Sequence, residues 1–154
     1  MHPSVNILVV DDDRQIADML KEYLDGRGHS VTTAYGGREA LAAFSGGKFP
    51  IVIVDMKMPD VDGMAVLESV KNTDRSAVVI MITGYGTLDS AVAAINLGAY
   101  DFIAKPFKWE ELEIVVRRAI ERHRSLKQIG LYRRLAWSSV VPILILIGLL
   151  LFHL

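Results

Sequence analysis

Ile51-Val52-Ile53-Val54-Asp55, followed by Met58-Pro59-Asp60-Val61-Asp62-Gly63, is the stretch that decides the fold. Four consecutive β-branched apolar residues read as a strand buried on both faces, because a half-exposed strand would alternate apolar with polar side chains. The strand runs straight into a carboxylate and then into a turn-rich segment. Similar runs lie on either side of it. Val5–Val10 (VNILVV) ends in Asp11-Asp12-Asp13, and Val31–Ala34 adds a shorter strand. Ala77–Ile82 (AVVIMI) ends at Thr83-Gly84, and Asp101–Ala104 is followed by Lys105-Pro106.

Helical spacing fills the intervals. Arg14–Asp25 places Ile16, Met19, Leu20, Tyr23 and Leu24 on one face, with Asp13 as N-cap and Gly26 or Gly28 as the stop. Glu39–Phe44 is a short helix between glycine pairs. Met64, Val66, Leu67 and Val70 mark a third, and Leu88–Leu97 a fourth stopped by Gly98. From Lys108 a long helix starts, with Leu112, Val115, Val116, Ala119 and Ile120 on one face. Five strands alternating with five helices predict an α/β fold, a doubly wound parallel sheet covered on both faces. In such a sheet the site lies beyond the carboxyl ends of the strands. That rule gathers Asp11, Asp12, Asp55, Thr83 and Lys105, each at or just past a strand end.

Three carboxylates at one sheet edge repel each other and raise one another's pKa values. A hard divalent cation relieves this, and Mg²⁺ suits it: it takes oxygen ligands, keeps several waters and binds through one or two carboxylates plus a phosphoryl group. A carboxylate in that setting can attack a phosphoryl donor and form an acyl phosphate. A Lys ammonium and a Thr hydroxyl then serve the phosphoryl oxygens where negative charge develops. The plainer reading makes Asp11–Asp13 only a helix cap, Asp55 a turn residue and Lys105 a solvated charge. It suits one acid after one strand, but not carboxylates after two strands with Thr and Lys after two more. Lys105-Pro106 is also unusual after an apolar strand, since Pro permits a cis bond that fixes the direction of the Lys.

The chain has 154 residues, 17 Lys and Arg, 18 Asp and Glu, and no cysteine, which excludes disulfides, thiolate metal sites and a Cys nucleophile. The near-zero net charge conceals three zones. Residues 1–116 carry 10 basic and 17 acidic side chains. Residues 117–134 carry seven basic ones (Arg117, Arg118, Arg122, Arg124, Lys127, Arg133, Arg134) against Glu121 alone. Residues 135–154 (LAWSSVVPILILIGLLLFHL) carry no Asp, Glu, Lys or Arg. The acidic main body argues against nucleic acid as its partner. The last stretch, as a helix rising about 1.5 Å per residue, would span ~30 Å, the thickness of a bilayer core. Arg133-Arg134 and Trp137 are interface anchors of the expected kinds, and the positive charge before the span places residues 1–134 on the cytoplasmic side. The alternatives are a helix packed in an oligomer core, or the first span of a longer protein. The basic segment fits anionic lipid or a plain solvated helix face. His2, His29, His123 and His153 have no metal-ligand spacing, and His123, within Glu121-Arg122-His123-Arg124, reads as part of a solvated face.

The segments ILVVDDD, IVIVDMKMPDVDGM, MITGYG and GAYDFIAKPF, in this order over about residues 5–124, resemble the signature segments of receiver domains of two-component response regulators. The resemblance implies a flavodoxin-like (βα)5 fold for residues 1–124, while the charge and hydropathy zones, not the resemblance, make 125–134 a basic juxtamembrane connector and 135–154 a transmembrane helix. The resemblance also implies Asp55 as phosphoacceptor. Mg²⁺ would be held by Asp12 and Asp55 directly, by Asp11 through water and by the main-chain carbonyl of Lys57. Thr83 would contact the phosphoryl group, Lys105 would pair with it, and Phe102 would be the switch aromatic that turns inward when Thr83 moves. Lys57 and Tyr85 stand where the family tunes hydrolysis of the acyl phosphate. The implied partner is a sensor histidine kinase or phosphotransfer protein, with the receiver catalysing its own phosphorylation and dephosphorylation. The implied switch surface is the fourth helix, fifth strand and fifth helix, through which receivers also form homodimers. The whole would be an inner-membrane signalling switch or phosphate sink.

A second class, an aspartate-nucleophile phosphatase of the haloacid dehalogenase type, also uses strand-end Asp, Mg²⁺, Thr and Lys. Its motif requires Thr or Val at position 15, where this chain has Gln15. A degenerate receiver serving as a membrane scaffold is a third class, and the intact set of Asp11, Asp12, Asp55, Thr83 and Lys105 speaks against it.

Overall fold

The computed structural model describes the backbone of residues 4–46, 48–84 and 86–152 and the side chains up to residue 131. The elements alternate strictly: β1 (Asn6–Val10), α1 (Arg14–Asp25), β2 (Ser30–Ala34), α2 (Gly37–Gly46), β3 (Ile51–Asp55), α3 (Gly63–Thr73), β4 (Val78–Thr83), α4 (Leu88–Asn96), β5 (Asp101–Ala104) and α5 (Trp109–Phe152). The chain divides into two compact units, Met1–His123 and Arg124–Leu154. In the second unit α5 continues as helix to Phe152.

All strand pairs are parallel, in the order β2-β1-β3-β4-β5. Two core layers follow from the pleat, since successive side chains of a strand point to opposite faces. Ile7, Val9, Ile51, Ile53, Val78, Ile80 and Ile82 face α1 and α5, packing with Leu20, Leu24, Leu112 and Val116. Leu8, Val10, Val52, Val54, Val79 and Met81 face the other way, packing with Ala40, Val66, Leu67, Val70 and Ala94. The central strands β1, β3 and β4 are covered on both faces, which is why they read as unbroken apolar runs.

The helix ends obey local chemistry. Asp13 caps α1 by accepting from the backbone N–H groups of Gln15 and Ile16, and Asp62 caps α3 through Ala65. Thr87 and Ser90 form a reciprocal capping box on α4. Gly28 and Gly98 have φ of +87° and +100°, a left-handed conformation that favours glycine.

Several expectations shift. Asp55 and Thr83 are the last residues of β3 and β4 rather than the residues after them. The α2 helix is longer at both ends than Glu39–Phe44. His123 does not lie on a solvated face: it is 7% exposed, and its Nδ1 lies 2.6 Å from the carbonyl oxygen of Ser76 in the α3–β4 connection. The ring therefore donates there, because a carbonyl can only accept. Residues 135–154 have side chains outside the described residues. Among the described residues no helix is long and apolar enough to cross a membrane.

Gly63 shows how tightly the β3–α3 turn is drawn. A Cβ there would lie 2.2 Å from the Asp55 carbonyl oxygen and 2.9 Å from Met56 Cα, both backbone atoms. Gly63→Ala is expected to destabilise the fold by about 1–3 kcal/mol, the range for overpacking, measurable by urea denaturation. Wild-type stability would contradict this packing.

Candidate functional site

Each candidate side chain is placed by the end of a strand. Asp11 follows β1, Asp55 closes β3, Thr83 closes β4 and Lys105 follows β5. The sheet order puts β1 beside β3, so the first two carboxylates are neighbours. β4 lies between β3 and β5, so Lys105 must reach across the end of β4 to meet them. Its backbone is positioned for this by its N–H donating to the Thr83 carbonyl at 2.8 Å. The Lys105–Pro106 peptide is cis.

The Lys105 ammonium donates to Asp11 Oδ2 at 2.6 Å and to Asp55 Oδ1 at 2.8 Å. The second oxygen of each carboxylate is held by backbone: Asp13 N–H donates to Asp11 Oδ1 at 3.0 Å, and Lys57 N–H donates to Asp55 Oδ2 at 2.8 Å. All four oxygens thus have a donor, although the two carboxylates are only 3% and 7% exposed. Burial pushes the Asp11 carboxyl above its ordinary value of 3.8, and the hydrogen bonds from Lys105 and Asp13 only partly offset this. For Lys105 burial acts in the opposite sense, favouring the neutral amine, but the hydrogen bonds to Asp11 and Asp55 prevail and raise its pKa. The lysine therefore stays a cation, and one cation serves two carboxylates.

Asp12 is exposed beside Asp11, and Thr83 is 1% exposed. Among the described residues no three His, Cys, Asp or Glu side chains converge as a metal cluster. What is present is a set of hard oxygen donors at one edge, with a buried carboxyl that burial pushes toward its protonated form, and that donor chemistry fits Mg²⁺. Phe102, in β5, is half-buried against the α2–α4 core layer. Tyr85 lies outside the described residues.

Two further residues belong to this region and were not singled out from sequence. A Cβ on Gly86 would lie 2.6 Å from Phe102 Cζ and 3.1 Å from Thr83 Cγ2, so the β4–α4 loop crosses the ring and the threonine methyl where a side chain would not fit. Asp60, in the β3–α3 loop, accepts the backbone N–H groups of Gly37 and Arg38 at the start of α2. The glycine was visible in MITGYG; the partner of Asp60 was not, because it lies over twenty residues away.

Comparison with known proteins gives a consistent result. The family model described as the response regulator receiver domain matches residues 7–117. The C4-dicarboxylate transport transcriptional regulatory protein DctD of Rhizobium meliloti is 37% identical over 139 residues, covering 90% of this chain and 30% of that protein. The DNA-binding transcriptional regulator NtrC of Salmonella typhimurium is 37% identical over 122 residues, covering 79% and 26% respectively. The chain spans under a third of the length of these relatives. Among solved structures, a receiver domain protein from Clostridium thermocellum superposes with a TM-score of 0.75 at 36% identity, covering 79% of this chain and 98% of that one. NtrX from Brucella abortus, in complex with ADP, gives 0.78 at 37% identity over 83% of this chain and 30% of that one.

The direction of the Asp11 shift carries a stability consequence. A carboxyl whose folded pKa lies above its unfolded value holds its proton more tightly in the folded state, so its ionisation at neutral pH weakens the fold. Asp11→Asn keeps the shape and removes that charge. Without divalent cation, its melting temperature at pH 7 is expected to exceed that of wild type. A lower one would show that the Lys105 pair outweighs the burial.

Proposed function

The chain belongs to the response regulator receiver domain family, and on that footing we propose that Asp55 is the phosphoacceptor of a two-component signalling switch held at the cytoplasmic face of the inner membrane. The observation that carries the reading is the Lys105 ammonium bridging the buried carboxylates of Asp11 and Asp55 at 2.6 and 2.8 Å. A structural ion pair needs one carboxylate; two acids on one cation leave negative charge at the sheet edge that calls for a second cation. Asp12, Asp55 and the Lys57 carbonyl would hold Mg²⁺ directly, and Asp11 through water. Bound there, Mg²⁺ supplies charge neutralisation between the carboxylates and a phosphoryl group.

The chain's own groups account for the rest. An Asp55 oxygen attacks phosphorus, the bond from phosphorus to the histidine nitrogen of the donor kinase or phosphotransfer protein breaks, and an acyl phosphate forms on Asp55. The proton that the leaving imidazole requires comes from the donor side or from solvent. Lys105 stays charged because its pKa is raised, and it is placed to follow a phosphoryl oxygen. The Thr83 hydroxyl, at the end of the strand between β3 and β5, serves another oxygen. Phe102, packed beneath the loop that Gly86 keeps thin, is the aromatic that responds to Thr83. The switch surface is α4, β5 and α5, and homodimers form through it. The expectation that nucleic acid is not a direct partner concerns the acidic body of residues 1–116 alone; the relatives named above include a DNA-binding regulator.

The membrane part of the reading rests on sequence. Residues 135–154 have no ionised side chain apart from the titratable His153 and follow a stretch of seven basic residues. They anchor the chain as a single span, and residues 125–134 meet the anionic lipid surface.

Two measurements test this. Mg²⁺ with acetyl phosphate is expected to place one acyl phosphate per chain, cleaved by hydroxylamine and absent in Asp55→Ala. Equal labelling of the variant would refute the assignment, and steady turnover of a phosphate ester would point to a phosphatase instead. The full chain is expected to sediment with membranes and a form ending at Lys127 to stay in the supernatant. A full chain wholly in the supernatant would refute the anchor.

A further inference from the structure

The α2 helix begins at Gly37, and Gly36 before it already accepts the Ala40 N–H at its carbonyl. Gly36 thus stands where a capping residue normally supplies a side-chain oxygen, and it has none. The missing acceptor comes from another loop. Asp60 Oδ1 accepts the Gly37 N–H at 3.1 Å, and Asp60 Oδ2 accepts the Arg38 N–H at 3.0 Å. Backbone donors, Arg38 foremost, hold its carboxyl down at about 2, so it is an anion throughout the working pH range. The fit is close: a Cβ on Gly36 would lie 2.9 Å from Asp60 Oδ2, and one on Gly37 would lie 2.2 Å from the Val61 carbonyl oxygen.

The loop carrying Asp60 is fixed at its base as well. Gly63 N–H donates to the Met56 carbonyl at 2.8 Å, Lys57 N–H donates to Asp55 Oδ2 at 2.8 Å, and Asp62 caps α3 through Ala65 at 2.8 Å. Alternate carboxylates of one short loop thus cap two helices, Asp60 in trans on α2 and Asp62 in cis on α3. Lys57 lies between the closed base and the pinned tip.

We propose that Asp60 is a positioning residue for the divalent-cation site, its two-oxygen clasp on the start of α2 fixing the loop segment that carries the Lys57 carbonyl. The inference rests on the reading of Asp12, Asp55 and that carbonyl as Mg²⁺ ligands. Mg²⁺ demands near-octahedral geometry, so loosening one ligand's support lowers affinity even when every ligand remains. Partners outside the ligand shell typically change metal affinity by about 10–100-fold. A contact one loop removed belongs at the lower end.

The test is an Mg²⁺ titration of the full chain, followed by backbone amide NMR shifts at Asp12, Asp55 and Lys57, together with hydrogen exchange at Gly37 and Arg38. Asp60→Asn turns one acceptor into a donor facing an N–H. Gly36→Ala displaces the carboxylate while keeping its charge, and it stands in should the first variant fail to fold. Asp62→Asn removes an equal charge but keeps an oxygen for Ala65. Both clasp variants are expected to speed exchange at Gly37 and Arg38 and to weaken Mg²⁺ binding about tenfold, with Asp62→Asn near wild type. Faster exchange with unchanged affinity overturns the proposal. So does equal weakening in Asp60→Asn and Asp62→Asn with none in Gly36→Ala, which would assign the effect to charge alone. A wild-type chain that binds no Mg²⁺ overturns the metal reading itself and the clasp's role with it.

Discussion

The structure turns on one ammonium shared by two buried carboxylates. Lys105 meets Asp11 and Asp55 across the end of β4, so the bond network ties together the ends of β1, β3 and β5. Removing Lys105 would leave both buried carboxylates without their shared cation, and stranding a buried charge in this way typically costs ~3–5 kcal/mol. The raised Asp11 carboxyl shows that even the intact pairing does not fully offset burial. The sheet edge is therefore held in an unfinished electrostatic state, satisfied in hydrogen bonds but short of positive charge. A site of this kind can respond when charge is added, whereas a fully neutralised one has no reason to.

The rest of the fold makes that edge possible. The central strands are covered on both faces, and the pleat sorts their side chains into two apolar layers. Asp55 and Thr83 close β3 and β4 and Asp11 directly follows β1, so these polar residues collect at the carboxyl ends. This explains why the site was legible in the amino-acid sequence. A carboxylate directly after an uninterrupted apolar run has one place to go, and four such runs ending in Asp, Asp, Thr and Lys define a common edge. Element boundaries were legible only to a residue or two, since Asp55 and Thr83 still pair in their strands before leaving them.

What the sequence concealed are contacts made across distance. Asp60 looks like one more turn residue, and nothing nearby announces that it caps α2. His123 sits among charged residues, as a solvated helix face would, yet the carbonyl that receives its Nδ1 belongs to Ser76, in another connection. Gly86 was visible, but its need for a bare Cα becomes clear only once Phe102 and Thr83 lie beneath it. Local propensity carries no record of such partners, so periodicity and spacing pass over them. The charge zones, by contrast, are a property of sequence alone.

Gly86 also bears on how a change at the edge could travel. Thr83 closes β4, the neighbour of β5, where Phe102 pairs with Met81. The ring is half-buried, and Gly86 lies close enough to both that a methyl there would collide with Phe102 and press on Thr83. A displacement of Thr83 cannot leave that contact unchanged, because close-packed groups move together or leave a void. The loop leads directly into α4, whose Leu88, Val92 and Ile95 are exposed apolar residues. The strand-end charge, the threonine, the aromatic ring and an apolar helix face are thus joined by packing through one glycine, and any side chain there would force the contact apart.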